Sequence, residues 1–366
     1  MTDVRTWEEK RRPALLKLFE EQMYGKAPQA PAGLHFQLLS EDKSALGGLA
    51  TRKEVKVCFD ADGTHYLTLL LYTPNRREGK APCFLGVNFF GNHTTSLDPG
   101  VSLPDISRYR SDFTLDARGS QARRWPLEYI LERGYAVATF CCEDVDPDVD
   151  DGFRNGVHGL LGPAQRTGAD WGTLAAWAWG LSRALDYLQT DADVDGSKVA
   201  VFGHSRMGKA ALWAGACDPR FAMVVSNASG CGGAAISRRH YGETLRRINI
   251  RFPHWYCRNF HQYGDNEDEM PFDQHELLAL IAPRPLYVES GSEDRWSDPR
   301  GEYLSLVEAS RVYRLYGFDT FTSTQQPPVE TPMVYGVTGY HIREGKHEIL
   351  LYDWEQYLRF ADRMWK

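Results

Sequence analysis

Cysteine is scarce in this chain, with seven in 366 residues and no C-x-x-C pair among them. Seven scattered thiols exclude a disulfide scaffold and a thiolate metal site, and an odd count leaves at least one free in a monomer. Long apolar runs are absent too. None approaches the roughly 20 residues that cross a bilayer, so no membrane partner is expected. No block of like charge interrupts the sequence, and the net charge of -7 argues against a nucleic-acid partner. "GVHGLLGP" (156–163) has glycines without a nucleotide-binding spacing, and Gly203 to Lys209 echoes a phosphate loop at the wrong spacing. The acidic stretch "CCEDVDPDVDDG" (141–152) lacks the ligand order of a calcium loop. It is expected to be a solvated loop, with Cys141 and Cys142 as small buried hydrophobes. No cofactor or metal is therefore expected.

Repeats, low-complexity tracts and clear linkers are also missing, which predicts one domain over residues 1–366. The first 25 residues carry charges throughout and lack the apolar centre of a signal peptide. Leu15, Leu16, Leu18, Phe19 and Met23 predict an amphipathic helix there instead. The expected localisation is cytoplasmic, or that of a mature form after removal of a leader. The expected oligomeric state is a monomer.

What is present is a regular alternation. Runs rich in apolar, β-branched or aromatic residues occur at 66–74, 81–91, 135–144, 198–203, 222–230, 285–291 and 332–339. Several are apolar on both faces, as strands buried in a parallel sheet are. Helical patterns lie between them, at "WPLEYILERG", 170–190, "GKAALWAGA" and "DPRGEYLSLVEASRVYRLYG". Strand and helix in turn predict an α/β fold, a mostly parallel central sheet flanked by helices in a three-layer α/β/α sandwich. "KEVKVCFD" and 66–74 predict an antiparallel hairpin leading into it. Together with the helix at the start, this hairpin forms an N-terminal extension. The order is that of an α/β-hydrolase.

In that order the nucleophile, acid and histidine follow one another along the chain. "KVAVFGHSRMGKAALWAGA" (198–216) reads as strand, tight turn at Ser205, then helix. The hydrolase turn is G-x-S-x-G, yet Met207 stands at plus two and Gly208 comes one place late. Ser205 is the candidate nucleophile, against the alternative of a serine that merely caps the helix. The histidine should lie late: His347, after Gly345 and before the C-terminal helix, is preferred to His341. For the acid, "YVESGSEDRWSDPRGEYL" offers Glu293, Asp294 and Asp298. Asp298 precedes Pro299 and is explained as a helix N-cap. Asp294 has no such role and is the preferred acid. "GVNFFGNH" (86–93), with Gly91 and Asn92, is the candidate oxyanion loop.

"GHSRMGKAALWAGACDPRF" resembles the nucleophile segment of the glucuronoyl esterases, whose signature is G-x-S-R-x-G-K. The resemblance continues through "NFFGNH", "DVDPD", "SNASGCGGAAISRRHYGE", "EDRWSDPRGEY" and "GYHIREGKHE", covering roughly residues 80 to 360. It implies hydrolysis of esters on the glucuronic acid carboxyl of xylan side chains, as in lignin–carbohydrate bonds. It also implies that Arg206 assists the oxyanion. Lys209 and Glu243 would bond sugar hydroxyls, and Trp296 would offer a ring face. One departure stands out. Many members carry an acid in "N-E-S-G", where this chain has Asn227-Ala228-Ser229-Gly230, leaving the arrangement that uses Asp294. Rival readings are an acetylxylan-type carboxylesterase and a catalytically weak carbohydrate-binding relative.

Overall fold

The structure is a computed structural model that describes residues 3–109 and 115–366. Among these, ten strands form one sheet: β1 (His35–Ala45), β2 (Ala50–Cys58), β3 (Tyr66–Pro74), β4 (Ala81–Asn88), β5 (Ala136–Cys141), β6 (Val194–His204), β7 (Met223–Asn227), β8 (Leu286–Gly291), β9 (Met333–Tyr335) and β10 (Thr338–Arg343). Their order is β1-β2-β3-β5-β4-β6-β7-β8-β10-β9. The run from β5 to β10 is parallel, β1 to β3 add an antiparallel edge, and β9 closes the other edge antiparallel to β10.

Side chains of the central strands alternate between two cores, as a pleated strand requires. On β6, Val199 and Val201 join one core while Ala200 and Phe202 join the other. The first core is covered by helices Thr173–Leu188, Arg206–Cys217, Gln274–Ala279 and Pro299–Leu315. The second is covered by Leu127–Glu132 and the C-terminal Leu351–Trp365. These are the three layers of an α/β-hydrolase. The chain is helical from Val4 to Tyr24, with wide turns at Trp7–Arg11 and Glu20–Tyr24. Its aromatic side docks behind the sheet, where Tyr24 stacks on Trp213 at 4.3 Å and Phe19 meets Phe272 at 4.3 Å. Among the described residues, no helix is long and apolar enough to cross a membrane.

Three elements differ from expectation. β1 was not expected, because its sequence "HFQLLSEDKSA" is mostly exposed and charged. Charge on an edge strand discourages pairing with another chain. The run 81–91 ends as a strand at Asn88. The run 332–339 is not one strand: Gly336, at φ 53°, turns the chain between β9 and β10. A Cβ there would lie 2.7 Å from the Asp319 carbonyl. The last parallel strand is therefore β10, and it carries His341 inside the sheet.

Candidate active site

β6 delivers the chain to a sharp turn. Ser205 sits at φ 59° and ψ -129°, outside the regions open to L residues without strain, and the helix Arg206–Cys217 starts directly after it. Its N–H donates to the Asn227 carbonyl at 2.9 Å. The serine occupies the N-cap position but its side chain caps nothing, which removes the capping explanation for it. Gly203 is required by space, since a Cβ would lie 2.0 Å from the Met207 carbonyl oxygen. Gly208 serves a different contact. A Cβ there would come within 2.9 Å of Ser229 Cβ, so its job is to let the helix approach the segment after β7. Met207 is buried in the first core, and the turn needs no glycine at that place.

Two further loops meet this turn at the same edge of the sheet. Asp294 follows β8, and its Oδ2 lies 2.6 Å from His347 Nδ1, in the loop after β10. Burial raises the Asp294 carboxyl, but the bonds from His347 and Ser297 outweigh it and hold the group below its ordinary value. The His347 side chain is 39% exposed, and its ring stands 4.6 Å from that of His204, the residue before Ser205. His204 is buried, with its Nδ1 2.5 Å from Asn227 Oδ1; burial, then the nearby His347, pushes its pKa well down.

The competing residues lie elsewhere. His341 is wholly buried, between the Tyr287 hydroxyl (3.0 Å) and Asp353 (2.9 Å). Glu293 is exposed. Asp298 does hold the N-cap position of Pro299–Leu315, but not as expected. Its φ of 52° turns the side chain away from the capping geometry, and its carboxylate takes Arg239 at 2.8 Å instead. The cap in this loop is made by Asp294, which accepts from Ser297 N–H at 3.3 Å. Ala228, at φ 44°, is buried after β7 and carries no acid to the site.

Arg206 donates to Asp148, and its guanidinium carbon lies 4.8 Å from the Trp255 ring centre. Asp148 also accepts from His254 Nε2 (3.0 Å) and Trp255 Nε1 (2.8 Å). Burial opposes its ionisation, yet His254, Arg206 and Trp255 draw the carboxyl down to about 2. The stretch 141–152 is thus not a solvated loop: Glu143, Asp144 and Asp146 are buried, and Asp148 anchors the cation beside the serine. Lys209 is buried, not a solvated helix residue, and donates to the Ser229 carbonyl at 2.5 Å. Burial lowers its pKa, while Glu243 opposes that shift. Glu243 N–H donates to the Trp296 carbonyl at 2.9 Å, which ties these two residues together. Trp296 is 45% exposed, with Arg247 5.4 Å from its ring centre. In the candidate oxyanion loop, the Gly91 N–H is consumed by Asn88 Oδ1 at 2.9 Å, and the Asn92 side chain is tied to Asn88 and Thr68. The Arg206 main-chain N–H, in the first turn of its helix, has no intrahelical carbonyl to pair with.

Sequence reasoning also missed the groups beneath the site. Glu302 accepts from Gly230 N–H at 2.9 Å, and its other oxygen is 2.7 Å from Ser290 Oγ. Burial pushes its carboxyl up to about 8. In the unfolded chain this group loses its proton near 4.5, but in the fold it keeps it to about 8. Its contribution to stability is therefore complete below pH 4.5 and lost as pH rises through that window. Glu302→Gln is expected to flatten the fall in melting temperature between pH 5 and 8; parallel slopes in both proteins would contradict the assignment. Glu289, His341 and Asp353 form the one cluster with metal-ligand geometry among the described residues. A cation is already present there, since Arg343 Nε lies 3.1 Å from Asp353 and 3.8 Å from Glu289.

The family profile described as "Glucuronyl esterase, fungi" matches residues 114–317. The carbohydrate esterase MZ0003, from an unknown prokaryotic organism, is 45% identical over 99% of this chain and 86% of its own. The 4-O-methyl-glucuronoyl methylesterase 1 of Wolfiporia cocos (strain MD-104) is 31% identical over 63% of this chain and 60% of its own. Among solved structures, a glucuronoyl esterase from Solibacter usitatus superposes with a TM-score of 0.94 at 47% identity, covering 100% of this chain and 95% of that one. With its α/β-hydrolase layers and its serine turn, the chain belongs to the glucuronoyl esterase family of carboxylic ester hydrolases.

Proposed function

We propose that the chain, acting as one domain, hydrolyses esters whose acyl part is the carboxyl of a glucuronic acid, such as lignin–carbohydrate esters on glucuronoxylan. The observation that carries the reading is the 2.6 Å Asp294–His347 hydrogen bond beside a strained serine that caps nothing. With Nδ1 engaged by Asp294, the Nε2 of His347 is left to take the Ser205 proton. Ser205 Oγ then attacks the ester carbonyl, and negative charge develops on its oxygen. The Arg206 guanidinium, held in advance by Asp148, and the Arg206 main-chain N–H stabilise that charge. Collapse expels the alcohol, which takes its proton from His347. Water enters by the same route and releases the uronic acid from Ser205. Lys209 and Glu243 would bond the sugar hydroxyls, and Trp296 would offer its exposed face to the ring.

Arg206→Ala is expected to lower kcat by about 10²–10³-fold, the scale for one lost oxyanion donor, with a smaller change in KM. A change confined to KM would reduce Arg206 to a binding residue. The reading as a whole is tested by comparing benzyl glucuronate, benzyl galacturonate and acetylated xylan as substrates. A preference for the glucuronate supports it. A preference for acetylated xylan would make the sugar the alcohol side, and inactivity on all three would point to a binding relative.

A further inference from the structure

We infer that Arg343 is a positioning residue for His347. Its guanidinium fills the inside of the loop that carries the histidine and fixes the three carbonyls around it. Nη1 donates to the Glu344 carbonyl at 2.6 Å, and Nη2 donates to those of Lys346 (2.8 Å) and Glu348 (3.0 Å). Lys346 and Glu348 are the immediate neighbours of His347, so one planar cation holds the peptide that enters the histidine and, through the Glu348 carbonyl, the peptide one residue beyond it. This inference rests on the reading of His347 as the general base.

The cation is itself locked. Arg343 is buried at the end of β10, and its Nε donates to Asp353 at 3.1 Å. Asp353 also accepts the Leu350 N–H (2.7 Å) at the start of the C-terminal helix. His341 Nε2 donates to the same carboxylate at 2.9 Å, and the Tyr287 hydroxyl donates to His341 Nδ1 at 3.0 Å, the pattern of a neutral imidazole. Glu289 is wholly buried and neither of its carboxyl oxygens has a hydrogen-bond partner. Burial and the nearby Asp353 push its carboxyl well above the ordinary range, and the Arg343 Nε hydrogen bond goes to Asp353, with Glu289 farther off at 3.8 Å. An arginine suits this place because its rigid fork reaches several acceptors at once, whereas a lysine presents one point charge.

The outer side of the loop is fastened to the strand that leads to the acid. Ser292 N–H donates to the Arg343 carbonyl (2.8 Å), and Glu293 N–H donates to the Gly345 carbonyl (2.9 Å). Gly345 N–H returns to Ser292 Oγ at 3.1 Å. Gly291 makes room for this contact: a Cβ there would lie 2.9 Å from the carbonyl oxygens of both Gly345 and Lys346. The histidine loop is thus held against the Asp294 loop from outside by backbone and from inside by Arg343. The Asp294–His347 distance depends on both.

Arg343→Lys keeps the charge for Asp353 and loses the fork. We expect its kcat, referred to folded protein, to fall about 10²-fold, the scale of a 1 Å misplacement, with KM within about threefold. The downfield proton signal of the His347 Nδ1–H bond to Asp294 should broaden or vanish with it. Arg343→Gln, which also unpairs Asp353, should fall further, so the lysine variant is the partial rescue. A lowered melting temperature with wild-type kcat and an unchanged histidine signal in Arg343→Lys would overturn the inference, as would a change in KM alone. His347→Ala runs beside it as a control. If that variant kept its activity, the assignment of the histidine would fail, and this inference with it; if it is inactive while Arg343→Lys is normal, only this inference fails.

Discussion

Ser205→Ala and His347→Ala are each expected to lower ester hydrolysis by on the order of 10⁶-fold while leaving the fold intact. The serine side chain is half-buried and makes no capping bond, so its loss removes no cap from the helix. His347 is half-exposed, and its removal leaves Asp294 still bonded to Ser297. Melting temperatures should therefore stay close to the wild-type value. His341→Ala should behave in the opposite way. It opens a void in the buried Tyr287–Asp353 network and leaves Asp353 short of a donor, so stability falls first. Near wild-type rates in His347→Ala together with inactivity of well-folded His341→Ala would transfer the base to His341.

The second large effect concerns the acid. Asp294→Asn is expected to lower kcat by about 10⁴-fold with little change in fold, because asparagine keeps the shape of the side chain but favours the wrong imidazole tautomer. Asp298→Asn should keep its kcat. Its carboxylate serves Arg239, and asparagine tolerates the left-handed backbone at φ 52°. The cost there is one ion pair with a partly exposed arginine, about 1 kcal/mol or less of stability. The measurement is kcat on a glucuronate ester with melting curves for both variants. Full activity in Asp294→Asn with loss in Asp298→Asn would transfer the role to Asp298.

Much of this was readable from the sequence because it is local. Apolar runs marked β3 to β8, and the chain order of the fold confined the search to one serine, two histidines and three acids. What escaped depends on contacts between distant segments or on backbone angles. Asp148 looked like one acid in a solvated run, yet it meets Arg206 58 residues later. Asp298 before Pro299 has the pattern of a cap, and only its positive φ removes it from that role. β1 has no apolar alternation to find, since an edge strand in this position needs none. Gly336 hid a turn inside what reads as one strand. Arg343 sits in the motif "GYHIREGKHE" and carries no signal of its own, because three of its partners are main-chain carbonyls that any sequence would provide, and the fourth, Asp353, lies ten residues on.

The central claim is that Ser205 becomes acylated. The most direct measurement is treatment of the folded protein with a fluorophosphonate, followed by intact mass, peptide mapping and residual esterase activity. The account predicts one adduct per chain, on the peptide containing Ser205, with activity lost in proportion to labelling and no labelling in His347→Ala. An adduct on another residue, or full hydrolysis of the glucuronate ester by a chain labelled at Ser205, would contradict it.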